Sequence, residues 1–569
     1  MRPSESLCPS FRHDLFRNYV DPKNRAGEDG YLRAEAIARV HGLTLDDIMS
    51  LSPKFWDMHT DPIICLDGAA TTLLTIQYNL AAGTLGAFVS ERDDILALVK
   101  DIIDFRTIGQ FCLTELEHGL DAFNLETTAV LLDDGRFELH TPHPGAAKFM
   151  PPTTPVLGRP CFAVVFAQLL AKGICQGIRP FVVCLNDGFK MCPGISARIL
   201  PQRGNSAPVN HCLTTFDRVI LPSSALLGDM IISGPPRLHF LSSIWRVAVG
   251  TLALTSIAIP GLAIASHIAL QYSLRRLVRG NDGDIIPIFN FRTQQTPILT
   301  TIAQAFVLRA FHQQAVRHFV DDGLSPFVQH GIATCFKAVV VRDTLGSHST
   351  LSERCGAQGL FGYNRLIVHH DEMRGVAIAE GDVLVLSIRQ RDFELIPLAT
   401  YVPEGLATEL LLEKYSLPPP ENFSSLLALH EDGLLTKYKS VTTNDGGHRS
   451  AKFGSHVIPH CERIVRAIGY RMAYDAAVSA KVPQGLIDLF VCNVVKADLG
   501  WYIQNQLLSS DELEAMEDSA IQMSLPHVEK WVAEMEVEPY VASPIISKAR
   551  WDDFCSDLQN IDNNVTAKL

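Results

Sequence analysis

A glutamate with small and apolar neighbours could perform acid–base chemistry in this chain. Glu380 follows the apolar residues 376–379 and precedes Gly381 and Asp382. Burial among such residues favours the neutral carboxyl and raises its pKa, which brings a general base closer to neutral pH. The string Ala-Glu-Gly-Asp would also suit an ordinary surface turn, so these residues alone leave both interpretations open.

Arginines and glycines elsewhere could contact a phosphorylated ligand. Arg276 lies in the run Arg-Arg-Leu-Val-Arg at residues 275–279, and a guanidinium suits paired phosphate oxygens. A solvated helix face is the alternative interpretation of this run. Gly119, Gly356 and Gly359 lack a Cβ, so they allow tight turns and a close approach of the backbone to a ligand.

The composition is that of a folded globular protein that must position these groups. The chain has 569 residues, 47% of them hydrophobic, with 49 Lys and Arg against 62 Asp and Glu, a net charge of −13. These values exclude a disordered chain and a collagen-like chain. The acidic balance argues against a nucleic-acid partner, whose binding face should be basic, but it leaves room for an anionic ligand.

The cysteines and the long apolar segments set further limits. The 13 cysteines are scattered without a CxxC pair, so we expect no metal site and mostly buried, reduced thiols in an intracellular protein. Residues 247–270 carry no formal charge and are long enough to cross a bilayer. The small residues, His267 and Pro260 favour instead a buried helix of a bundle, kinked at Pro260, and no membrane span.

The two ends of the chain bear on its destination. The N-terminus has no continuous apolar stretch of the kind that a secretory signal needs. The chain ends in Ala567-Lys568-Leu569, a close variant of the Ser-Lys-Leu signal that a peroxisomal import receptor binds. We therefore expect this receptor as a partner and the peroxisomal matrix as the location.

Patterning predicts an α+β fold that is mostly α. Residues 1–108 are expected to form an N-terminal helical domain, in which Thr44 and Ser90 precede acidic residues and predict helix starts. Short apolar runs separated by Asp-Gly and Pro-Gly turns predict a central β-barrel or sandwich-like domain over residues 109–240. Residues 241–415 predict a helical bundle, and residues 416–569 a C-terminal helical domain.

Several ordered motifs resemble the acyl-CoA oxidases, the peroxisomal branch of the acyl-CoA dehydrogenase superfamily. They are QFCLTELEHG at residues 110–119, LETTA at 125–129, TTFDRVILP at 214–222, FRTQQ at 291–295, CGAQG at 355–359 and EGD at 380–382. Each motif is weak by itself, and the order and spacing of all of them together carry the resemblance, which runs from about residue 55 to 385.

The resemblance implies an enzyme that binds FAD and oxidises an acyl-CoA to the trans-2-enoyl thioester, passing electrons to O2 to give H2O2. Glu380 would be the base that removes the α-proton. The implied cofactor-binding residues are Thr114 and Gly119 at the flavin ring, Thr153 in the loop beneath it, Arg276 at the pyrophosphate, and Gln294, Gly356, Gly359 and Asp382. Because family members complete this site across a subunit interface, a homodimer is implied.

The chain departs from the family at the loop that faces the flavin. Where the oxidases carry a WWPGG-like turn, residues 149–155 read Phe-Met-Pro-Pro-Thr-Thr-Pro, and Thr153 replaces a glycine. The resemblance implies a fatty acyl-CoA of β-oxidation as the substrate, while the altered loop suggests either a specialised acyl group, branched or polyketide-derived, or lost activity. Two alternatives therefore stand: a dehydrogenase that uses an electron-transfer flavoprotein, and a non-catalytic subunit that binds acyl-CoA or forms a heterodimer.

Overall fold

The helices and strands of the computed structural model cover most of the chain. It describes residues 2–8, 27–119, 121–204, 206–231, 234–388, 406–444 and 450–560; the C-terminal tripeptide lies outside these ranges. The helices are α1 Gly27–His41, α2 Leu45–Met49, α3 Pro53–Thr60, α4 Gly68–Thr75, α5 Gly83–Gly86, α6 Asp93–Ile103, α7 Pro236–Ser243, α8 Trp245–Ser256, α9 Ala258–Arg275, α10 Arg292–Phe319, α11 Pro326–Arg354, α12 Leu366–Ile378, α13 Val383–Ile388, α14 Leu406–Leu411, α15 Leu426–Asn444, α16 Ala451–His456, α17 Cys461–Ser479, α18 Gln484–Ala497, α19 Leu499–Gln504, α20 Ser510–Ser524, α21 Val528–Glu534 and α22 Lys548–Ser556.

The strands concentrate between α6 and α7. They are β1 Ile108–Cys112, β2 Thr128–Leu131, β3 Phe137–His140, β4 Lys148–Phe149, β5 Cys161–Ala171, β6 Ile174–Asn186, β7 Ile195–Ile199, β8 Cys212–Phe216 and β9 Val219–Leu221, with a separate hairpin of β10 Leu277–Arg279 and β11 Ile285–Pro287. The expected α+β, mostly α fold class is confirmed. The division into four domains at the residue numbers given above stays a prediction.

The N-terminal helices begin where local chemistry favours them, with one exception. Thr44 caps α2, since its side chain accepts from the Asp47 amide and Asp47 accepts from the Thr44 amide. The helix start predicted at Ser90 is wrong, because α6 begins at Asp93 after Arg92. Arg92 stays extended while its guanidinium donates to Asp94 and to the Ser224 carbonyl, so a tertiary contact overrides the local signal.

Two sheets form the β region. In the larger one, β5 pairs in parallel with β1 and β2 and antiparallel with β6, while β3 and β9 extend the other edge. In the smaller sheet, β8 lies between β4 and β7. The pairing of Gln110 with Ala163 sets the register of β1 against the long central strand, and β1 leads directly into Thr114.

Long buried helices form the bundle beside the β region. The apolar segment Trp245–Arg275 is long enough to span a membrane, but 83% of its most apolar window is buried inside the fold. The helix is interrupted at Ile257, where α8 ends and α9 begins, three residues before Pro260, and the kink expected at Pro260 stays a prediction. Pro260 lies in the first turn of α9, where its missing N–H leaves no intrahelical bond unmade.

Candidate active site

A large cavity lies between the N-terminal helices, the β region and the bundle. Its volume is about 1980 Å³, and its wall includes residues of α4, α8, α11 and α12 together with β1 and the loop that follows it. Glu380, Thr114 and Gly119 all line it. A cavity of this size exceeds the usual volume of about 300–1,000 Å³ for a site that holds one small ligand.

Glu380 occupies a strained turn immediately after α12. Its φ angle is +56°, a left-handed conformation that costs a non-glycine residue about 1 kcal/mol or more. Buried donors hold the turn: the Lys337 ammonium donates to the carbonyls of Ala379 (2.5 Å) and Gly381 (2.6 Å). The Thr251 hydroxyl donates to the carbonyl of Glu380 itself at 2.7 Å. The sequence therefore places Glu380 after the helix, and neighbouring helices fix its direction.

The carboxyl group of Glu380 lies against α8. A Cβ on Gly250 would lie 1.7 Å from Glu380 Oε2, so only glycine leaves room for the carboxyl there. Oε2 accepts no hydrogen bond from any residue in the described ranges. Burial raises the pKa of Glu380, and the positive charges of Lys337 and Arg246 oppose that rise. The arrangement is a half-buried carboxyl that borders a cavity, with Oε2 packed against α8.

Arg246 connects α8, beside Glu380, to the N-terminal helices through hydrogen bonds. Its Nε donates to the carbonyl of Asn79 at 3.0 Å and its Nη1 to the carbonyl of Ile48 at 3.1 Å, while Asn79 Nδ2 donates to the carbonyl of Arg246 at 2.9 Å. Burial lowers the pKa of Arg246 to about 10, which still leaves it charged near neutral pH. Its charge therefore favours the carboxylate form of Glu380.

A buried ion pair fixes the strand end that presents Thr114. Lys148 Nζ contacts Glu115 Oε1 at 2.9 Å and donates to the carbonyls of Leu113 (3.3 Å) and Phe166 (2.7 Å), with both charged side chains fully buried. Glu115 also accepts from the Thr127 amide and hydroxyl, so it links the TELEHG motif to the LETTA motif. Hydrogen bonds therefore fix the two residues that flank half-buried Thr114, which are Leu113 and Glu115.

The loop that departs from the family is partly at the cavity. Phe149, Met150 and Pro151 line it, and His211 Nδ1 donates to the Met150 carbonyl at 2.7 Å. Thr153 is not among the described residues of the wall; its buried hydroxyl pairs with Thr214 at 2.6 Å. The loop therefore reaches the cavity through its first residues. The cofactor role inferred for Thr153 stays untested.

The remaining inferred residues fall into two places. Asp382 lines the cavity and accepts from the amides of residues 384 and 385 at the start of α13. Arg276, Gln294, Gly356 and Gly359 are not among the described lining residues. Arg276 is exposed and lies one residue beyond α9, not on the helix as the family pattern implied.

Gln294 and the two glycines lie together at the end of α11. Gln294 Nε2 donates to the carbonyl of Arg354 at 3.0 Å. Gly356 has φ of +59°, and a Cβ on Gly359 would meet the Ser352 carbonyl at 1.9 Å. The tight turn expected at these glycines is therefore present: Gly359 has no room for a Cβ, and the left-handed conformation of Gly356 favours glycine.

Sequence reasoning missed the residues that support Glu380 and the strand end that presents Thr114. These are Lys337, Gly250, Arg246, Asn79 and Lys148. One signal was available for Lys337, since it is a lone cation within the apolar run Cys335-Phe336-Lys337-Ala338-Val339, and a buried lysine needs partners. For the others, only the fold shows which groups they meet.

Known proteins match both the sequence and the fold. The model of the acyl-CoA oxidase C-alpha1 domain matches residues 248–393. Peroxisomal acyl-coenzyme A oxidase 3 of Homo sapiens is 27% identical over 412 residues, which are 66% of this chain and 57% of that protein. Acyl-coenzyme A oxidase acox-3 of Caenorhabditis elegans is 24% identical over 413 residues, covering 67% and 61%. The chain thus matches less than two thirds of the length of these relatives.

Solved structures match nearly the whole chain. Acyl-CoA oxidase1 from Yarrowia lipolytica has a TM-score of 0.78 at 15% identity, covering 98% of this chain and 92% of that one. Acyl-CoA oxidase-1 of Caenorhabditis elegans, solved in complex with FAD and ATP, has a TM-score of 0.68 at 16% identity, covering 97% and 92%. The chain therefore has the acyl-CoA oxidase fold. The resemblance inferred from its motifs is confirmed, since the chain is similar to the acyl-CoA oxidases in sequence and in fold.

Proposed function

We propose that this protein is an FAD-dependent acyl-CoA oxidase. It would convert an acyl-CoA and O2 into the trans-2-enoyl-CoA and H2O2, a balanced exchange of two hydrogens. The observation that carries the proposal is Glu380, a half-buried carboxyl with a raised pKa at the wall of a cavity large enough for more than one ligand. The named acyl-CoA oxidase relatives support the substrate class.

The residues present fit FAD on the β-region side of the cavity. A Cβ built on Gly119 would meet nothing within 4 Å among the described residues, so the backbone there is open to a ligand. Thr114, Gly119 and the first residues of the altered loop would hold the ring, and Asp382 borders the same space. FAD, when bound, supplies the acceptor for the hydride from Cβ and passes electrons to O2.

The chain's own residues would do the acid–base work and the positioning. Glu380 would take the α-proton of the thioester onto its carboxylate, whose raised pKa makes it a stronger base than an exposed glutamate. Lys337 would hold the turn so that the carboxylate faces the substrate. Arg246 would keep part of the Glu380 population ionised despite burial.

The exposed Arg276 with Gln294, Gly356 and Gly359 would serve FAD bound to a second subunit. These residues lie away from the cavity of their own chain but include a guanidinium and a tight glycine turn, which suit phosphate and close backbone approach. A homodimer follows from this assignment. The peroxisomal names of the relatives and the Ala-Lys-Leu tail support import into peroxisomes.

The first test is the visible absorption spectrum of the purified protein, with FAD added. Flavin bands are expected, followed by bleaching and H2O2 release with an acyl-CoA panel. Glu380→Gln should keep the flavin bands but lose turnover. Bleaching by substrate without O2 consumption would indicate the dehydrogenase alternative. A colourless protein that cannot be reconstituted would refute the enzyme and leave a non-catalytic subunit.

A further inference from the structure

Two cysteine thiols lie close together where the chain turns back at the end of β6. The thiol of Cys192 donates to the sulfur of Cys184, and the two sulfurs are 3.8 Å apart. Both residues are half-buried, so a molecule as small as a peroxide can reach them. A disulfide bond is about 2.05 Å long, and the sulfurs therefore need to approach each other by about 1.8 Å for a bond to form.

The backbone of this hairpin suits such a bond. The Cys192 amide donates to the carbonyl of Leu185 at 2.9 Å, and Asn186 pairs with Met191. Cys184 and Cys192 therefore lie on neighbouring antiparallel segments, offset by one residue. Because such segments lie about 4.8 Å apart and rise about 3.3 Å per residue, the two Cα atoms are about 6 Å apart. Disulfides form at Cα separations of about 4.4–6.8 Å.

An irregularity in β6 brings the two side chains to the same face. In the pairing of β6 with β5, Leu185 is an extra residue between Cys184 and Asn186. Such a bulge redirects the side chains beside it. In a regular hairpin of this register, successive side chains alternate, and Cys184 and Cys192 would point to opposite faces. The bulge therefore accounts for the contact between the two sulfurs.

The same hairpin contacts the loop that departs from the family. The buried side chain of Asn186 donates to the carbonyl of Thr153 at 2.8 Å and accepts from the Gly188 amide at 3.0 Å. Gly188 packs on the backbone that follows this loop, since a Cβ there would lie 2.4 Å from a backbone carbon. Cys184 is thus two residues from a contact that holds the loop in place.

We infer that Cys184 and Cys192 form a disulfide when hydrogen peroxide accumulates, and that this bond stabilises the hairpin that supports the loop beside the cavity. The source of the oxidant rests on the proposed function, because H2O2 is the product of that reaction. Cys161 also lies near both sulfurs but is only 1% exposed, so peroxide reaches the half-buried pair first.

The oxidation has two steps. The sulfur of Cys192 attacks one oxygen of H2O2, so that an S–O bond forms, the O–O bond breaks and one water leaves. The sulfur of Cys184 then attacks the oxidised sulfur of Cys192, so that the S–S bond forms, the S–O bond breaks and a second water leaves with the remaining thiol proton. Two thiols and one H2O2 give one disulfide and two waters.

The pKa of the Cys184 thiol sets the order and the rate of these steps. Burial and the neighbouring Cys192 raise this pKa to about 12. Because the thiolate is the reactive form, Cys184 is the poorer first nucleophile, and the first step is assigned to Cys192. The closing step should be slow at neutral pH and should accelerate by about tenfold for each unit of rising pH below that pKa. The pair should therefore respond to sustained peroxide.

The test exposes the full-length protein, loaded with FAD, to increasing H2O2 and maps its cysteine peptides without reduction. A peptide pair joined through Cys184 and Cys192 is expected, two of the 13 thiols should disappear, and dithiothreitol should restore both. The oxidised protein should have a higher Tm, because a closed loop restricts the unfolded chain. Oxidation spread over other cysteines, or no loss of thiols, would overturn the inference, and an unchanged Tm would overturn the stabilisation.

Three variants identify the reacting thiols. Cys192→Ser should leave Cys184 unoxidised, whereas Cys184→Ser should stop at a sulfenic acid on Cys192 that dimedone labels. Cys175→Ser is the matched control, since Cys175 is an exposed cysteine near the start of the same strand, and the disulfide should still form. Loss of the disulfide in this control, or its survival in either of the other variants, would refute the assignment.

Two sources of peroxide separate this inference from the proposed function. Added H2O2 tests the thiols alone, and turnover of an acyl-CoA, with catalase as its control, tests whether the protein supplies the oxidant. A disulfide with added H2O2 but no O2 consumption with any acyl-CoA would support the thiol pair and refute the oxidase. O2 consumption without a disulfide from either source would refute the thiol pair and leave the oxidase standing. A disulfide during turnover that catalase prevents would support both.

Discussion

Replacing Lys337 with methionine should loosen the turn that presents the base and shift its titration. The ammonium donates to carbonyls on both sides of Glu380 and is the largest opposing charge on that carboxyl. Methionine matches the length of the stem but offers no donor. The change therefore removes both the clamp and the charge without adding bulk.

The magnitude follows from these contacts. The carbonyls of Ala379 and Gly381 would lose their donor, and each buried acceptor left unpaired costs about 1–3 kcal/mol of stability. An opposite charge at close range lowers the pKa of a carboxyl by roughly one to three units, so its loss should raise the pKa of Glu380 by about that amount. The base works only as the carboxylate, and the acid limb of kcat/KM should therefore move to higher pH by the same one to three units.

The assay is H2O2 release across pH for Lys337→Met beside the unaltered protein. Lys148→Met is the matched control, since Lys148 is also fully buried and bonds two carbonyls but has its charge partner in Glu115. It should destabilise the fold and leave the acid limb in place. An unchanged acid limb in folded Lys337→Met, or an equal shift in the control, would refute the electrostatic argument.

Further predictions concern the glycines and Glu372. Gly250→Ala puts a Cβ where Oε2 of Glu380 lies, so kcat should fall at least about tenfold with flavin content retained; Gly346→Ala, in an open helical position, should be neutral or slightly stabilising, and equal losses in both would contradict the steric reason. The Glu372 carboxyl has its ordinary pKa of 4.5 in the unfolded chain and a pKa raised to about 7 in the fold. As the pH rises between these two values, only the unfolded chain loses its proton, so the unfolding free energy should fall by about 3 kcal/mol. Glu372→Gln should flatten that slope in urea titrations, and an unchanged slope would assign it elsewhere. Gly359→Ala should lower Tm by several degrees through its clash with a backbone carbonyl, and an unchanged Tm in a thermal melt would show that the turn relaxes.

Local signals anticipated much of the fold. The capping pair at Thr44 is a short-range interaction within one turn, so the sequence contains all of it. The buried character of residues 247–270 follows from composition, but the helix break fell at Ile257 because the constraint of Pro260 acts on the turn before it. Ser90 does not cap α6, which begins at Asp93, and the Arg92 guanidinium donates instead to the Ser224 carbonyl in the turn after β9.

The candidate site divides in the same way. Motif order placed Glu380, Thr114 and Gly119, and the fold brought all three to one cavity. The cofactor role predicted for Thr153 rests on its position in the loop alone, and in the fold its hydroxyl pairs with that of Thr214. A motif fixes which residue types occur in which order, whereas the direction of a side chain depends on packing from other elements.

The sequence by itself determined the class of fold, the resemblance to acyl-CoA oxidases and the glutamate at the end of α12. Only the tertiary structure decided that Lys337, Arg246 and Gly250 surround this glutamate. These partners lie far apart in the chain. Their interactions depend on distances of a few ångströms and on shared burial, which composition and spacing do not specify.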